Sequence, residues 1–187
     1  MSTRIKRFGK DVFPYQTCPE IKESPLEVRA LPHTINIDYS EDPETIKLRY
    51  EQFFSEHSHW ICSAQAYKDK VIEFSGCKEV SFVVFRHQHF FLEELCHKLQ
   101  ERGWISRPAT LRELVECRIK SISGMLYRTI ALGTECTAPE IEYGGYPMVS
   151  GKRGCRLDFY KKSALLGRYS QDWILTIPGP KFYEVCN

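Results

Sequence analysis

The sequence lacks closely spaced cysteines, long uncharged runs and the short motifs that mark common enzymes. Eight cysteines stand at 18, 62, 77, 96, 117, 136, 155 and 186, and no two neighbours are closer than fifteen positions. Zinc fingers, zinc ribbons and redox centres need two thiols within one tight turn, so those classes are excluded. No 18-residue window is free of charge, which excludes a transmembrane helix. The basic stretch Met1–Lys10 has no apolar segment behind it, so no secretory signal is expected. The thiols are then read as reduced, in an intracellular compartment, with Cys96 and Cys155 falling in apolar runs where free cysteine behaves as a small hydrophobe. There is no G-x-S-x-G elbow and no H-E-x-x-H pair. Gly145-Tyr-Pro-Met-Val-Ser-Gly-Lys152 approaches a P-loop, but it is one residue too long, is stiffened by Pro147, and is followed by Arg153 where a hydroxyl is needed. The K/R-G-F/Y-G/A-F motif of RNA-recognition sheets is missing as well. Nor is there any internal repeat or low-complexity tract.

What is present is an ordinary globular composition. The 187 residues are 42% hydrophobic, 13% aromatic and 27% charged, too apolar for a disordered chain. The net charge of +2 hides an asymmetry. Residues 1–10 carry Arg4, Lys6, Arg7 and Lys10 with no acid; residues 11–60 hold ten acids against four bases; residues 151–181 hold seven bases against Asp158 and Asp172. Two basic surfaces for polyanions, and an acidic region suited to a basic partner, follow from that distribution. The plainer alternative is a set of solvated faces and tails.

Pro14, Pro19, Pro25 and Pro32 punctuate residues 1–32, which therefore read as an extended basic arm, with one α+β domain over 33–187. Alternation in Thr34-Ile-Asn-Ile-Asp-Tyr39 and Thr45-Ile-Lys-Leu-Arg-Tyr50 around Ser40–Glu44 predicts a hairpin. A second hairpin is predicted from Lys70–Phe74 and Val80–Phe85, the latter apolar enough for burial on both faces. Residues 55–69 suit no element. Residues 90–101 predict a helix with Phe91, Leu92, Leu95 and Leu99 on one face and Gly103 at its C′ position. Thr110-Leu-Arg-Glu113 is a capping box opening a helix that faces inward through Leu111, Val115, Ile119, Ile122 and Leu126 and outward through Arg112, Glu116 and Lys120. Glu135–Gly154 reads as a surface loop with a short strand near Ile141, and Arg156–Lys161 and Asp172–Ile177 as closing strands. The expected fold is α+β, a mainly antiparallel sheet packed against two helices.

His57-x-His59 and His87-x-His89 each set two imidazoles on one face of an extended backbone, with Cys96 a few residues on. Their spacing matches no standard zinc site, so structural or solvated roles are expected, with no metal and no cofactor; a metal-dependent enzyme centred on them is the third functional class considered. Tyr160, Lys161 and Lys162 offer an aromatic and two cations to a strand of RNA, against the plainer reading of a partly exposed strand.

In its order of elements the chain resembles the matrix proteins of rhabdoviruses, in particular those of the plant-infecting cytorhabdoviruses. The resemblance lies in the basic arm, Leu48-Arg-Tyr-Glu-Gln-Phe-Phe54, Val80–Leu99, the helix from Thr110, and Arg156–Ile177, and it is one of pattern, without a diagnostic motif. The chain departs from animal-virus relatives in having Phe13-Pro14-Tyr15 in place of a P-P-x-Y motif. Tyr146-Pro-Met-Val149 is only loosely like a Y-P-x-L signal, and no C-terminal helix is expected. These departures put recruitment of budding machinery in doubt.

The resemblance implies a non-enzymatic structural protein that self-associates and bridges an anionic membrane surface to a nucleocapsid, peripheral to the membrane and present in the virion. Within what the resemblance implies, charge placement is consistent with membrane binding through Arg4, Ile5, Lys6, Arg7, Phe8 and Lys10, and with RNA or nucleoprotein binding through Lys152, Arg153, Arg156, Tyr160, Lys161 and Lys162. The competing expectation is a single-domain RNA-binding accessory protein, such as a viral suppressor, working through the C-terminal cluster alone.

Overall fold

The computed structural model describes residues 4–8, 11–15, 27–31, 33–42, 45, 48–49, 67–69, 75–86, 92–120, 128–136, 145–150, 156–161 and 172–186, and its centre is the apolar run ending at Phe85. In strand β7 (Val83–Arg86), Val83, Val84 and Phe85 are all buried. Side chains alternate along a strand, so three buried in succession mean that both faces are covered, as the composition of this run predicts. The two covers differ. On one face, Leu92, Leu95 and Leu99 of helix α1 (Leu92–Glu101) join Val83 and Phe85. On the other, Leu114 and Val115 of helix α2 (Leu111–Lys120) and Ile35 and Ile37 of strand β4 (Ile35–Asp38) join Val84. The fold is α+β, with the two helices on opposite sides of the main sheet.

That sheet runs β3 (Glu27–Ala30), β7, β13 (Trp173–Pro178), β9 (Arg128–Ile130), β11 (Gly145–Ser150), β10 (Thr134–Cys136), β5 (Tyr67–Asp69). Strand β12 (Arg156–Lys161) flanks β11 on its other side, and β8 (Ile105–Pro108) continues along β13 past β9. The pairing is antiparallel except between β13 and β9. Two smaller sheets pair β4 with β6 (Cys77–Val80), and β1 (Arg4–Phe8) with β2 (Asp11–Tyr15).

Several expectations are overturned. Packed residues begin ahead of His33, because β3 pairs with β7 and buries Val28. Pro25 and Pro32 stand on either side of this strand, while Pro14 falls in a two-stranded ribbon, where one missing N–H is tolerated. The first predicted hairpin does not form, since Thr45, Leu48 and Arg49 are helical. Asp42 accepts a hydrogen bond from the Thr45 N–H at 3.0 Å, and Pro43 follows it, a helix-start signal that outweighs the short alternation. Strand β4 pairs instead with β6, Ile35 opposite Val80. The predicted strand Val80–Phe85 is accordingly divided between two sheets; its expected partner, 70–74, lies outside the described residues, as do 55–66.

Between Glu135 and Gly154, where a surface loop was expected, β11 is a buried inner strand; Ile141 lies outside the described residues. Pro147 is compatible with this position for a local reason. Its carbonyl accepts from the Ala131 N–H at 3.0 Å, while its missing N–H falls where β9 ends and the chain turns toward β10. The absent C-terminal helix is also corrected: α3 (Pro180–Cys186) opens on Pro180, a favoured first residue.

The helix ends follow the local signals. After α1, Gly103 has φ of 73°, its N–H donates to the Gln100 carbonyl at 3.0 Å, and the Trp104 N–H donates to Leu99 at 2.9 Å, forming a Schellman motif. At α2, the Thr110 N–H donates to Glu113 Oε2 at 2.8 Å and the Glu113 N–H to Thr110 Oγ1 at 3.4 Å, closing the predicted capping box. The Lys181 N–H of α3 donates to the Gly103 carbonyl at 3.1 Å, and the Gly179 N–H to Trp104 at 2.9 Å, so two chain segments meet backbone to backbone. A Cβ on Gly179 would stand 2.3 Å from the Gly103 oxygen. Gly179→Ala is therefore expected to destabilise by about 1–3 kcal/mol in urea unfolding. Gly103→Ala, whose Cβ would make only an ordinary contact with Lys181 at 3.8 Å but whose φ is unfavourable, is expected to cost about 1 kcal/mol. Equal effects would mean that close approach adds nothing.

Candidate functional site

The first candidate surface is built on backbone register. Strands β1 and β2 form a ribbon separate from the main sheet, with Arg4 opposite Tyr15, Lys6 opposite Phe13 and Phe8 opposite Asp11. Alternation places these six positions on one face and Ile5, Arg7, Val12 and Pro14 on the other. Ile5 and Phe8, expected to act together, thus fall on opposite faces. The position that accompanies Arg4 and Lys6 is Phe8, with Phe13 and Tyr15 across the ribbon. Lys10 lies outside the described residues.

The described C-terminal candidates are separated by the fold. Arg156 and Lys161 stand at the two ends of β12, while Lys152, Arg153 and Lys162 lie outside the described residues. Tyr160 is corrected. It pairs with Tyr146 on the face that α1 covers, is 8% exposed, and belongs to the core beneath that helix. Burial, and secondarily the charge of Asp172, raises its phenol pKa, with Arg128 acting in the opposite sense. A ring packed there offers no face for a base to stack on.

The charged residues of α2 do something different from what their spacing predicts. Arg112, Glu116 and Lys120 do form one stripe, and Lys120 pairs with Glu116 at 2.9 Å, but the stripe is a docking face for the chain around β4. Arg112 donates to the carbonyls of Asp38 at 2.8 Å and Glu41 at 2.9 Å, and Lys120 donates to that of Asn36. Glu116, 4% exposed, forms an ion pair with Arg49 at 2.7 Å. Leu48 beside it is 59% exposed, so polar contacts hold this part of the segment.

One turn earlier, Glu113 is fully buried and receives Arg107 through both carboxylate oxygens, the Tyr39 hydroxyl and the Thr110 N–H. Burial alone would raise the Glu113 pKa; the hydrogen bonds and charge of Arg107, with Tyr39 and Thr110, outweigh it and hold the carboxyl below the usual range. Burial, then the neighbouring carboxylate, pushes the Tyr39 phenol up, and Tyr146, bonded to Glu93, is raised in the same way. Burial drives the Cys117 thiol to about 12, far from a nucleophile's range. This network satisfies buried charges and fixes α2. Its only local sequence signal was the capping box; the parts played by Tyr39, Arg49 and Arg107 depend on contacts distant in sequence.

Among the described residues no group of His, Cys, Asp or Glu is arranged to hold a metal ion. Cys96 is buried on α1, and His57, His59, His87 and His89 lie outside the described residues. Among the described residues no helix is long and apolar enough to cross a membrane. The chain matches no family model, no curated protein and no solved structure.

Proposed function

We propose that this is a non-enzymatic, matrix-like structural protein that binds an anionic membrane surface through the β1–β2 ribbon, contacts nucleoprotein or RNA through its C-terminal basic region, and self-associates. The observation that carries the reading is the ribbon's register, which gathers Arg4 and Lys6 with Phe8, Phe13 and Tyr15 on one face, two cations against the single acid Asp11. Cations there attract anionic headgroups, and aromatic residues favour the interfacial layer. The buried ionic network on α2 supports a structural role for the rest of the domain. Peripheral attachment, and a place in a virion, belong to the same reading. The acidic 11–60 segment and the basic C-terminal region supply complementary charge for contacts between copies.

Each basic residue near an anionic surface contributes about 1 kcal/mol. The Arg4→Ala/Lys6→Ala variant is therefore expected to bind anionic liposomes roughly 30-fold more weakly than the unaltered protein at low salt. Arg7→Ala, on the other face, is expected to lose less. Flotation at low and high salt checks this; unchanged flotation of the double variant, or binding indifferent to salt, overturns the ribbon as the membrane site.

The second reading, an RNA-binding accessory protein, draws on β12, which carries Arg156 and Lys161 at its two ends. It no longer has Tyr160 as a stacking platform. Nucleic-acid binding with a steep salt dependence and no flotation would favour it.

A further inference from the structure

We infer that Arg128, Ser150 and Arg156 form a phosphate-binding row for single-stranded RNA at one end of the main sheet, an inference that rests on the proposed nucleic-acid role of the C-terminal basic region. Register carries it. Ser150 of β11 stands directly opposite Arg128 of β9 on one side and Arg156 of β12 on the other, so the three positions share a face and a row. Neighbouring strands are spaced about 4.8 Å apart, which sets the two arginine positions about 10 Å from each other with a hydroxyl residue between them.

Arg128 is held ready for a ligand. Its Nε meets Asp172 Oδ1 at 2.8 Å, and Asp172 is 4% exposed while Arg128 is 40% exposed. A buried carboxylate thus forms an ion pair with one edge of the guanidinium, without a hydrogen bond at that oxygen. Among the described residues its two Nη groups have no other ionic partner. A guanidinium ion-paired at Nε keeps its Nη donors for a phosphodiester oxygen pair. Arg86, at the same end of the sheet, is arranged otherwise: it bonds both oxygens of Glu27 and lies 4.8 Å over the Trp173 ring, so it is committed to the fold.

The chemistry favours a nucleic-acid backbone over a bilayer. Among the described side chains bordering the row, Thr129, Val149 and Asp172 are buried and offer no exposed apolar group. Interfacial membrane binding draws on such apolar groups, whereas backbone binding of nucleic acid is made largely of arginine and hydroxyl contacts to phosphate. The sequence signal pointed at Arg156 but not at Arg128, because their adjacency exists only through Ser150.

The test is fluorescence anisotropy of a labelled single-stranded RNA against the full chain over a salt series, with Arg156→Gln, Arg128→Lys and Lys78→Gln as variants. Arg128→Lys keeps a cation for Asp172 and loses the fork, and circular dichroism confirms that each variant is folded. Arg156→Gln is expected to bind roughly tenfold more weakly and to lower the salt slope by about 1. Arg128→Lys is expected to weaken binding severalfold with the slope nearly unchanged, since the charge remains. Lys78→Gln, on exposed β6, is expected to change neither. RNA binding that survives in both arginine variants overturns the row and leaves the nucleic-acid reading standing. Failure of the unaltered protein to bind RNA at low salt removes both. Loss of flotation on anionic vesicles in Arg156→Gln, with RNA binding intact, overturns the choice of RNA.

Discussion

Glu113→Ala is expected to destabilise the protein by about 3–5 kcal/mol, because it strands the Arg107 guanidinium in a site where that side chain is 11% exposed. The loss has two further contributions, an opened capping box at Thr110 and a Tyr39 hydroxyl left without its carboxylate. Urea unfolding at neutral pH measures it. Removing both charges together, as Arg107→Leu with Glu113→Leu, is expected to cost less than Glu113→Ala alone, since no unpaired buried charge remains. The pH dependence carries the same signature. The folded-state pKa of Glu113 lies below its unfolded value, so the stabilisation is complete above about 4.3 and is lost as pH falls from there through the folded value. Glu113→Gln is expected to flatten the acid limb of the stability profile; an unchanged limb would show that the carboxyl gains nothing by folding.

The second large effect concerns adjacent residues of one strand. Phe85→Ala is expected to cost about 3–5 kcal/mol, and Val84→Ala about 2 kcal/mol, although neighbouring side chains in a strand point in opposite directions. Phe85 packs in the core under α1 and Val84 in the core under α2 and β4, and both are at most 1% exposed. Were one face open to solvent, one of the two truncations would be nearly silent in denaturant unfolding. Silence at Val84 would remove the α2 layer from its place on the sheet.

These cases show where the sequence was legible. Signals that act within a few residues were readable: the Thr110–Glu113 box, the Gly103 stop, and the burial of Val83–Phe85. Arg156–Lys161 was placed as a strand to the residue. Misreadings came where a partner lay far along the chain. Gly145–Ser150 has the composition of a loop, and only its neighbours β9 and β12 make it a buried strand. Thr45–Arg49 alternates over too few residues to outweigh the Asp42–Pro43 start signal. The stripe Arg112, Glu116, Lys120 was identified correctly as a face, but what lies against it, Asn36, Asp38, Glu41 and Arg49, was invisible to periodicity. For the candidate sites, Arg4 and Lys6 could be named from charge alone. Their separation from Ile5, the burial of Tyr160 and the adjacency of Arg128 to Arg156 needed strand register.

The position of β13 has a consequence for how the chain matures. Residues 173–178 insert between β7 on one side and β9 and β8 on the other, so the sheet's two halves are joined by its last-made strand. Until that strand has left the ribosome, β3 with β7 and β9 with β11 remain separate pieces with exposed edges. Closure of the main sheet therefore waits on residues 173–178 and is slowed by long-range pairing, and the edges of its two halves need protection in the interval.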